Sequence, residues 1–170
     1  MLSSNWCRSA TNPLSKRSRD WRNGGFTLVE IMIAVLIIGL LATLSLPAFR
    51  RSRIVAQSNR FVSDLRTFSH AFENFSLQTG NWPATAASGV VPTGMEEDIK
   101  GSVWRVPQNS IGGQWAWDRN DFGMAAGISV TGVIAPDPQM ERIDARIDDG
   151  DLTTGLFRKV GSRFIYILQE

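Results

Sequence analysis

The sequence predicts an α+β fold: a long N-terminal helix whose outer half packs on a small antiparallel β-sheet. Three observations lead there. Residues 26–46 are mostly apolar and carry one charge, a glutamate. From Ile54 to Phe75 large apolar side chains recur at helical spacing. Beyond Gly113 the chain divides into short β-rich runs separated by Gly, Asn and Asp.

The apolar run, Phe26 to Leu46, holds 21 residues, with Glu30 as its sole charge. At about 1.5 Å of rise per residue a helix of that length spans about 30 Å, the hydrocarbon thickness of a bilayer. A helix is the state that satisfies every backbone polar group within the segment. A carboxylate inside such a span is costly and marks function, with a partner to be named.

Around that glutamate the chain reads Gly25-Phe26-Thr27-Leu28-Val29-Glu30, behind a basic polar leader and ahead of an apolar helix containing Pro47. This arrangement resembles the N-terminus of type IV prepilins, a family that includes type IV pilins, competence pilins and the pseudopilins of type II secretion. The likeness is close over about residues 16–53 and loose beyond them. The resemblance implies a pilin-like ladle fold and removal of the leader by a prepilin peptidase between Gly25 and Phe26. It also implies N-methylation of Phe26 as the new terminus. Glycine suits such a cut, because no side chain blocks approach of its backbone to another protein. Glu30 would then neutralise the terminal amine of a neighbouring subunit and so set the register of a filament. A buried charge that is paired is tolerable and an unpaired one is not. An ordinary signal-anchor with an incidental glutamate is the plainer alternative, and the complete motif argues against it.

The leader carries Arg8, Lys16, Arg17, Arg19 and Arg22 against Asp20, so it takes five of the 18 basic and one of the 16 acidic residues with it. The whole chain is at +2, and the mature chain would be at −2 over 145 residues. A nucleic-acid partner inferred from the basic precursor is therefore unsupported. The basic run resembles the start of a secretory signal, but the apolar part is too long for one. Arg50, Arg51 and Arg53 follow Pro47, so charge flanks both sides and decides orientation weakly. The cytoplasmic N-terminus and periplasmic C-terminal domain come from the resemblance. The lone cysteine, Cys7, departs with the leader. The mature chain then lacks the disulfide that closes the C-terminal loop of many pilins, which leans towards a pseudopilin.

Four segments follow: the leader at 1–25, a transmembrane half-helix at 26–46, a periplasmic amphipathic half at 47–79, and a β-rich domain at 80–170. Pro47 removes a helical hydrogen bond and is expected to kink the helix, with Gly39 as a second weak point. Ile54, Phe61, Leu65, Phe68, Phe72 and Phe75 form a stripe at spacings of 7, 4, 3, 4 and 3, the face for a sheet. Gly80, Asn81, Trp82 and Pro83 stop the helix. Residues 80–113, rich in Gly and Pro, read as an extended connection, with Val103–Val106 as a short strand and Trp82 and Trp104 as anchors. Gln114–Asp118, an Asn120-Asp121 turn and Phe122–Val133 read as a hairpin, with Phe122, Met124, Ala126, Ile128 and Val130 on one face. Asp137-Pro138 opens a helix, Asp as cap and Pro at the first position. Met140, Ile143 and Ile147 form its buried side. Arg163–Leu168 is the last strand, placed centrally.

Asp148, Asp149 and Asp151 surround Gly150, and some pseudopilins bind calcium in this part of the chain. The spacing lacks the distal glutamate of an EF-hand loop, and an exposed helix-ending turn explains it equally well. No catalytic residue is predicted and no other cofactor. The chain has one histidine, His70, no Gly-rich phosphate loop and no nucleophile elbow. Glu96, Glu97 and Asp98 read as a solvated loop.

The function expected from the resemblance is that of a structural subunit in a type IV pilus-like filament of the bacterial inner membrane, most closely a type II secretion pseudopilin. Its implied partners are other pilin or pseudopilin subunits, the prepilin peptidase, an inner-membrane assembly platform with its ATPase, and lipid. A pilin for adhesion, motility or DNA uptake is the alternative within the family. A signal-anchored periplasmic enzyme or binding domain is the alternative outside it.

Overall fold

Helix α1 runs from Leu28 to Thr79 without interruption. The computed structural model describes residues 25–105 and 108–170. The predicted leader up to Gly24, with Cys7, lies outside the described residues, as do Val106 and Pro107. The chain divides into two compact units, Met1–Ala42 and Thr43–Glu170.

In the first unit every described residue is exposed, from Gly25 to Ala42. The helix passes through Gly39 here, and through Pro47 in the second unit, with no break in its helical assignment. Leucine and isoleucine dominate, and one apolar window of α1 is long enough to cross a membrane by length and composition, with none of it buried.

The second unit holds the sheet. Strands β1 (Gln114–Asp121), β2 (Met124–Thr131), β3 (Phe157–Val160) and β4 (Arg163–Gln169) pair in the order β1-β2-β4-β3. Every pairing is antiparallel. Strand β4 is therefore internal, as expected, and β3 is an edge strand that the sequence pattern did not reveal. Its four residues are too few to display a period of two. Helix α3 (Asp137–Ile147) connects β2 to β3.

The stripe on α1 meets the sheet ring by ring. Phe72 stacks on Trp117 with centroids 3.8 Å apart, and Phe61 stacks on Trp115 at 4.8 Å. Phe68 points its edge at Trp104 and at Trp115. Leu65, Ile128, Val130, Phe157, Met140 and Ile143 complete the same core. Aromatic pairs in these geometries contribute beyond the area they bury. Helix α1 ends at Gly80, whose φ of +74° belongs to the left-handed region that glycine occupies freely.

Three local expectations are corrected. The strand expected from Val103 does not form at Val103 or Trp104: Gly101–Trp104 forms one helical turn, α2, with Val103 and Trp104 N–H donating to the Lys100 carbonyl. The turn swings the Trp104 ring into the core, where its Nε1 donates to the Val90 carbonyl at 2.8 Å. The hairpin turn lies at Phe122-Gly123 rather than Asn120-Asp121, because Asp121 pairs with Met124. Phe122 and Gly123 both have positive φ, the geometry that matches the twist of the flanking strands. Asp137 makes no capping bond. Pro136 is the capping residue, and Asp137 pairs with Lys159 across to β3 at 2.6 Å.

The predicted face of β2 also divides. Ala126, Ile128 and Val130 enter the main core, but Met124 joins Ile165 and Ile167 in a second cluster. A register shift between Ala126 and Gly127 allows this, and a Cβ on Gly127 would lie 2.5 Å from the Met124 sulfur. Phe122 stays partly exposed under the Arg163 guanidinium, 5.2 Å from its centroid.

Candidate functional site

The N-terminal motif folds as a helix start. Thr27 precedes the first helical residue and Glu30 is the third residue of the helix. The Thr27 hydroxyl accepts from the Glu30 N–H at 3.2 Å. In return the Glu30 carboxylate accepts from the Thr27 N–H at 3.1 Å and from its hydroxyl at 3.3 Å. This reciprocal arrangement is a capping box, which satisfies two helix N–H groups that would otherwise lack partners. The signal, Thr-x-x-Glu ahead of an apolar run, was present in the sequence and went unread. Glu30 therefore has a local role, and its carboxylate also sits where the positive end of the helix dipole favours an anion.

Gly25 and Phe26 lie just before the helix and are both exposed. Among the described residues nothing lies within 4 Å of where a side chain at Gly25 would start. Gly39 is equally open.

The acidic segment after α3 assembles differently from the expected set. Carboxylate oxygens of Asp144, Asp148 and Asp149 lie within 4.8 Å of one another, and Asp151 is not among them. Asp151 instead accepts from the Thr153 N–H at 2.9 Å and from its hydroxyl at 2.7 Å. Those two bonds hold its carboxyl below the usual carboxylate range, the hydroxyl being the stronger influence. Asp149 accepts from the Asp151 N–H and from the Thr154 hydroxyl, and its carboxyl is lowered in the same way.

Asp144 has no such support. It is fully buried at 0% exposure, and neither carboxylate oxygen has a hydrogen-bond partner among the described residues. Burial, then the charges of Asp149 and Asp148, raise its carboxyl to about 6, against a smaller lowering by the nearby Gly150 N–H. A buried, unpartnered carboxylate next to two more is the environment that a hard cation with oxygen ligands neutralises. These residues thus fit calcium better than the linear Asp-Asp-Gly-Asp run did. Asp144 precedes Asp148 by one helical turn, and that spacing was the readable clue.

The remaining titratable candidates do not converge. His70 is exposed and its Nδ1 lies 3.4 Å from Glu73 one turn along α1. Glu96, Glu97 and Asp98 are exposed. On the sheet face away from α1, Asp118 is buried and accepts from Ser129, with the Arg163 guanidinium at 3.4 Å. That triad is a satisfied structural network.

Comparison with known proteins agrees with the motif. Residues 22–46 match the family described as the prokaryotic N-terminal methylation motif. The chain is similar to type II secretion system core protein G of Klebsiella pneumoniae, 29% identical over 102 residues, covering 55% of this chain and 73% of that protein. The protein of the same name in Escherichia coli K12 is 28% identical over 99 residues, covering 54% and 68%. A fimbrial protein of Neisseria meningitidis serogroup B is 36% identical over 77 residues, covering 45% of this chain and 44% of that protein. The chain thus spans under half the length of that fimbrial relative. No solved structure matches. The resemblance to type IV pilins and type II secretion pseudopilins rests on these relatives as well as on Gly25–Glu30.

Proposed function

We propose that the protein is a membrane-anchored structural subunit of a type IV pilus-like filament, most closely a type II secretion pseudopilin. One observation carries this. The α1 segment from Leu28 to Leu46 carries large apolar side chains on every side, is exposed throughout, and is charged only at the glutamate of the methylation motif. Such a surface is stable in lipid or among other helices like itself, and the same segment serves both states in turn. Segments 26–46, 47–79 and 80–170 are then the lipid-spanning half, the outer half of the helix and the β-rich domain.

In this scheme the prepilin peptidase cuts between Gly25 and Phe26, and Phe26 is methylated. Glu30 exchanges part of its bond to Thr27 for the terminal amine of a neighbour. Gly39 and Pro47 supply the weak points at which the helix adjusts during extraction by the assembly platform and its ATPase. The secretion relatives cover more of their own length than the fimbrial relative does, which supports the pseudopilin role over adhesion, motility or DNA uptake.

A second role is favoured by Asp144. Asp144, Asp148 and Asp149 would hold a calcium ion, which would neutralise the buried carboxylate and tie the end of α3 to the loop before β3.

Intact-mass spectrometry of the protein from membranes, with and without a functional prepilin peptidase, tests the main proposal. The expected species starts at Phe26 and carries one additional methyl group. An uncut chain in peptidase-positive cells would overturn it and leave a signal-anchored periplasmic domain.

A further inference from the structure

We infer that Arg50, Arg51 and Arg53 form a phosphate-binding collar, which seats α1 in the bilayer through the headgroups of anionic phospholipids. This rests on the membrane-anchored reading above and names what the chain meets where it leaves the lipid. The three arginines are exposed. No acidic residue occurs between Glu30 and Asp64, so this stretch of α1 holds no carboxylate to neutralise them. None of the three forms an ion pair among the described residues. Asp64, the first carboxylate beyond them, is 3.9 Å from Arg60. One turn above Arg53 the β-rich domain meets the helix, where the Ser110 hydroxyl donates to the Gln57 carbonyl at 3.0 Å. The cavity at that contact is lined by Gln57, Gln108, Ser110 and Gln139 among apolar neighbours, and by no charged side chain. At that contact the domain brings no carboxylate down to the arginines.

Position and chemistry select the partner. Arg50 follows Leu46, the end of the apolar run, by four residues and Arg53 follows it by seven. Those steps are about 6 Å and about 10 Å of helical rise. The headgroup layer is about 5–8 Å deep on each side of the hydrocarbon, so Arg50 and Arg51 stand within it and Arg53 at its outer edge. At 3.6 residues per turn the three span an arc of about 160° around the helix, wide enough to engage more than one headgroup. A guanidinium takes phosphate oxygens through paired N–H donors, and it is more weakly hydrated than an ammonium. Anionic lipid attracts basic residues near its surface, and the attraction fades within a Debye length. The collar thus fixes depth in both directions. Moving inward would carry three charges into hydrocarbon, and moving outward breaks their bonds to phosphate. Arg60 is the contrast within the chain. It lies 14 residues beyond Leu46, about 21 Å of rise, and has Asp64 beside it.

The test places the full chain in phosphatidylcholine nanodiscs that hold a small fraction of spin-labelled phosphatidylglycerol or spin-labelled phosphatidylcholine. Electron spin resonance reads how much of each label the protein immobilises. The preference for phosphatidylglycerol is expected to fall about fivefold when R50Q, R51Q and R53Q are combined, and to stay unchanged in R60Q. A contribution from the basic leader is common to all these variants and cancels in the comparison. The substituted positions are exposed and glutamine is a good helix former, so unfolding of the outer domain is expected to be unaltered. A preference that survives the triple substitution, or that falls as far in R60Q, would overturn the collar and leave the filament reading intact. Inorganic phosphate that removes the preference, where chloride at the same ionic strength does not, would assign the arginines to free phosphate and overturn the lipid. A chain that does not enter the discs would overturn the membrane-anchored reading together with the collar.

Discussion

The two halves of α1 obey opposite rules although they belong to one continuous helix. Between Leu28 and Leu46 the large side chains are exposed, Leu36 at 72%, and no face is polar. Between Phe61 and Phe72 the apolar residues occupy one stripe, and Phe61 and Phe72 are at 0% exposure. The outer half takes its burial from the sheet of the same chain. The inner half is exposed at every described residue, and in the proposed filament subunit lipid or other copies would cover it. A helix that is apolar all round is a buried helix, and the chain alone does not bury this one. The contrast separates what the sequence spends on folding from what it spends on assembly.

Substitutions that shorten a side chain break this contrast most directly. Phe72→Ala removes a ring stacked 3.8 Å from Trp117 and leaves a void beneath the sheet. It is expected to destabilise the outer domain by about 3–5 kcal/mol, measured by chemical denaturation in detergent. Leu36→Ala removes a comparable apolar side chain from the inner half, and the same measurement is expected to change by less than about 0.5 kcal/mol. Equal effects at both sites would mean that the inner half is buried against its own domain.

A smaller effect is expected at Asp144, where the outer domain holds charge without a partner. Its folded carboxyl is raised to about 6 from an ordinary 3.8, so the folded state binds the proton more tightly. The associated stability is fully present below about 3.8 and is lost as pH rises through about 6. Asp148 and Asp149 both face it and raise it further, and the Gly150 N–H acts the other way more weakly. In calcium-free buffer Asp144→Asn is therefore expected to stabilise the domain at pH 7 by about 1–3 kcal/mol. Added calcium should raise the melting temperature of the unaltered protein at pH 7, less so at pH 5, and not that of the variant. A calcium shift that persists in Asp144→Asn would sink the cation role.

How much of this was legible in the sequence depended on whether the signal was local. The aromatic stripe was readable because six residues repeat at one period, and each of Phe61, Leu65, Phe68 and Phe72 is buried. The inner half was readable from hydropathy alone. Trp104 is a buried anchor as expected, but the strand expected around it is a single helical turn, which has no period, and its ring is positioned by Phe68 and by the Val90 carbonyl, both distant in sequence. The hairpin turn moved by two residues because Asn and Asp are turn formers wherever they stand, whereas strand pairing chose Phe122-Gly123. Asp144 escaped notice because an aspartate on a short helix reads as solvated. Its burial comes from α3 packing down through Met140 and Ile143.

The smallest expected change in folding, and the sharpest division between the halves, concerns Glu30. As a capping-box residue it contributes about 1 kcal/mol to the start of the helix, and Thr27 shares that role. Glutamine keeps the capping geometry and removes the charge. If Glu30 acts only as a cap, Glu30→Gln assembles like the unaltered chain, and Thr27→Ala is as harmful as Glu30→Ala. If its charge pairs with a neighbour's terminal amine, Glu30→Gln fails to assemble while Thr27→Ala loses little. The second pattern is expected, read as filament yield from processed protein, with the unfolding of the outer domain unchanged in all three variants. A carboxylate among side chains as exposed and apolar as Leu28, Val29 and Ile31 is then retained for what it meets in another copy, and the cap holds it in place until that partner arrives.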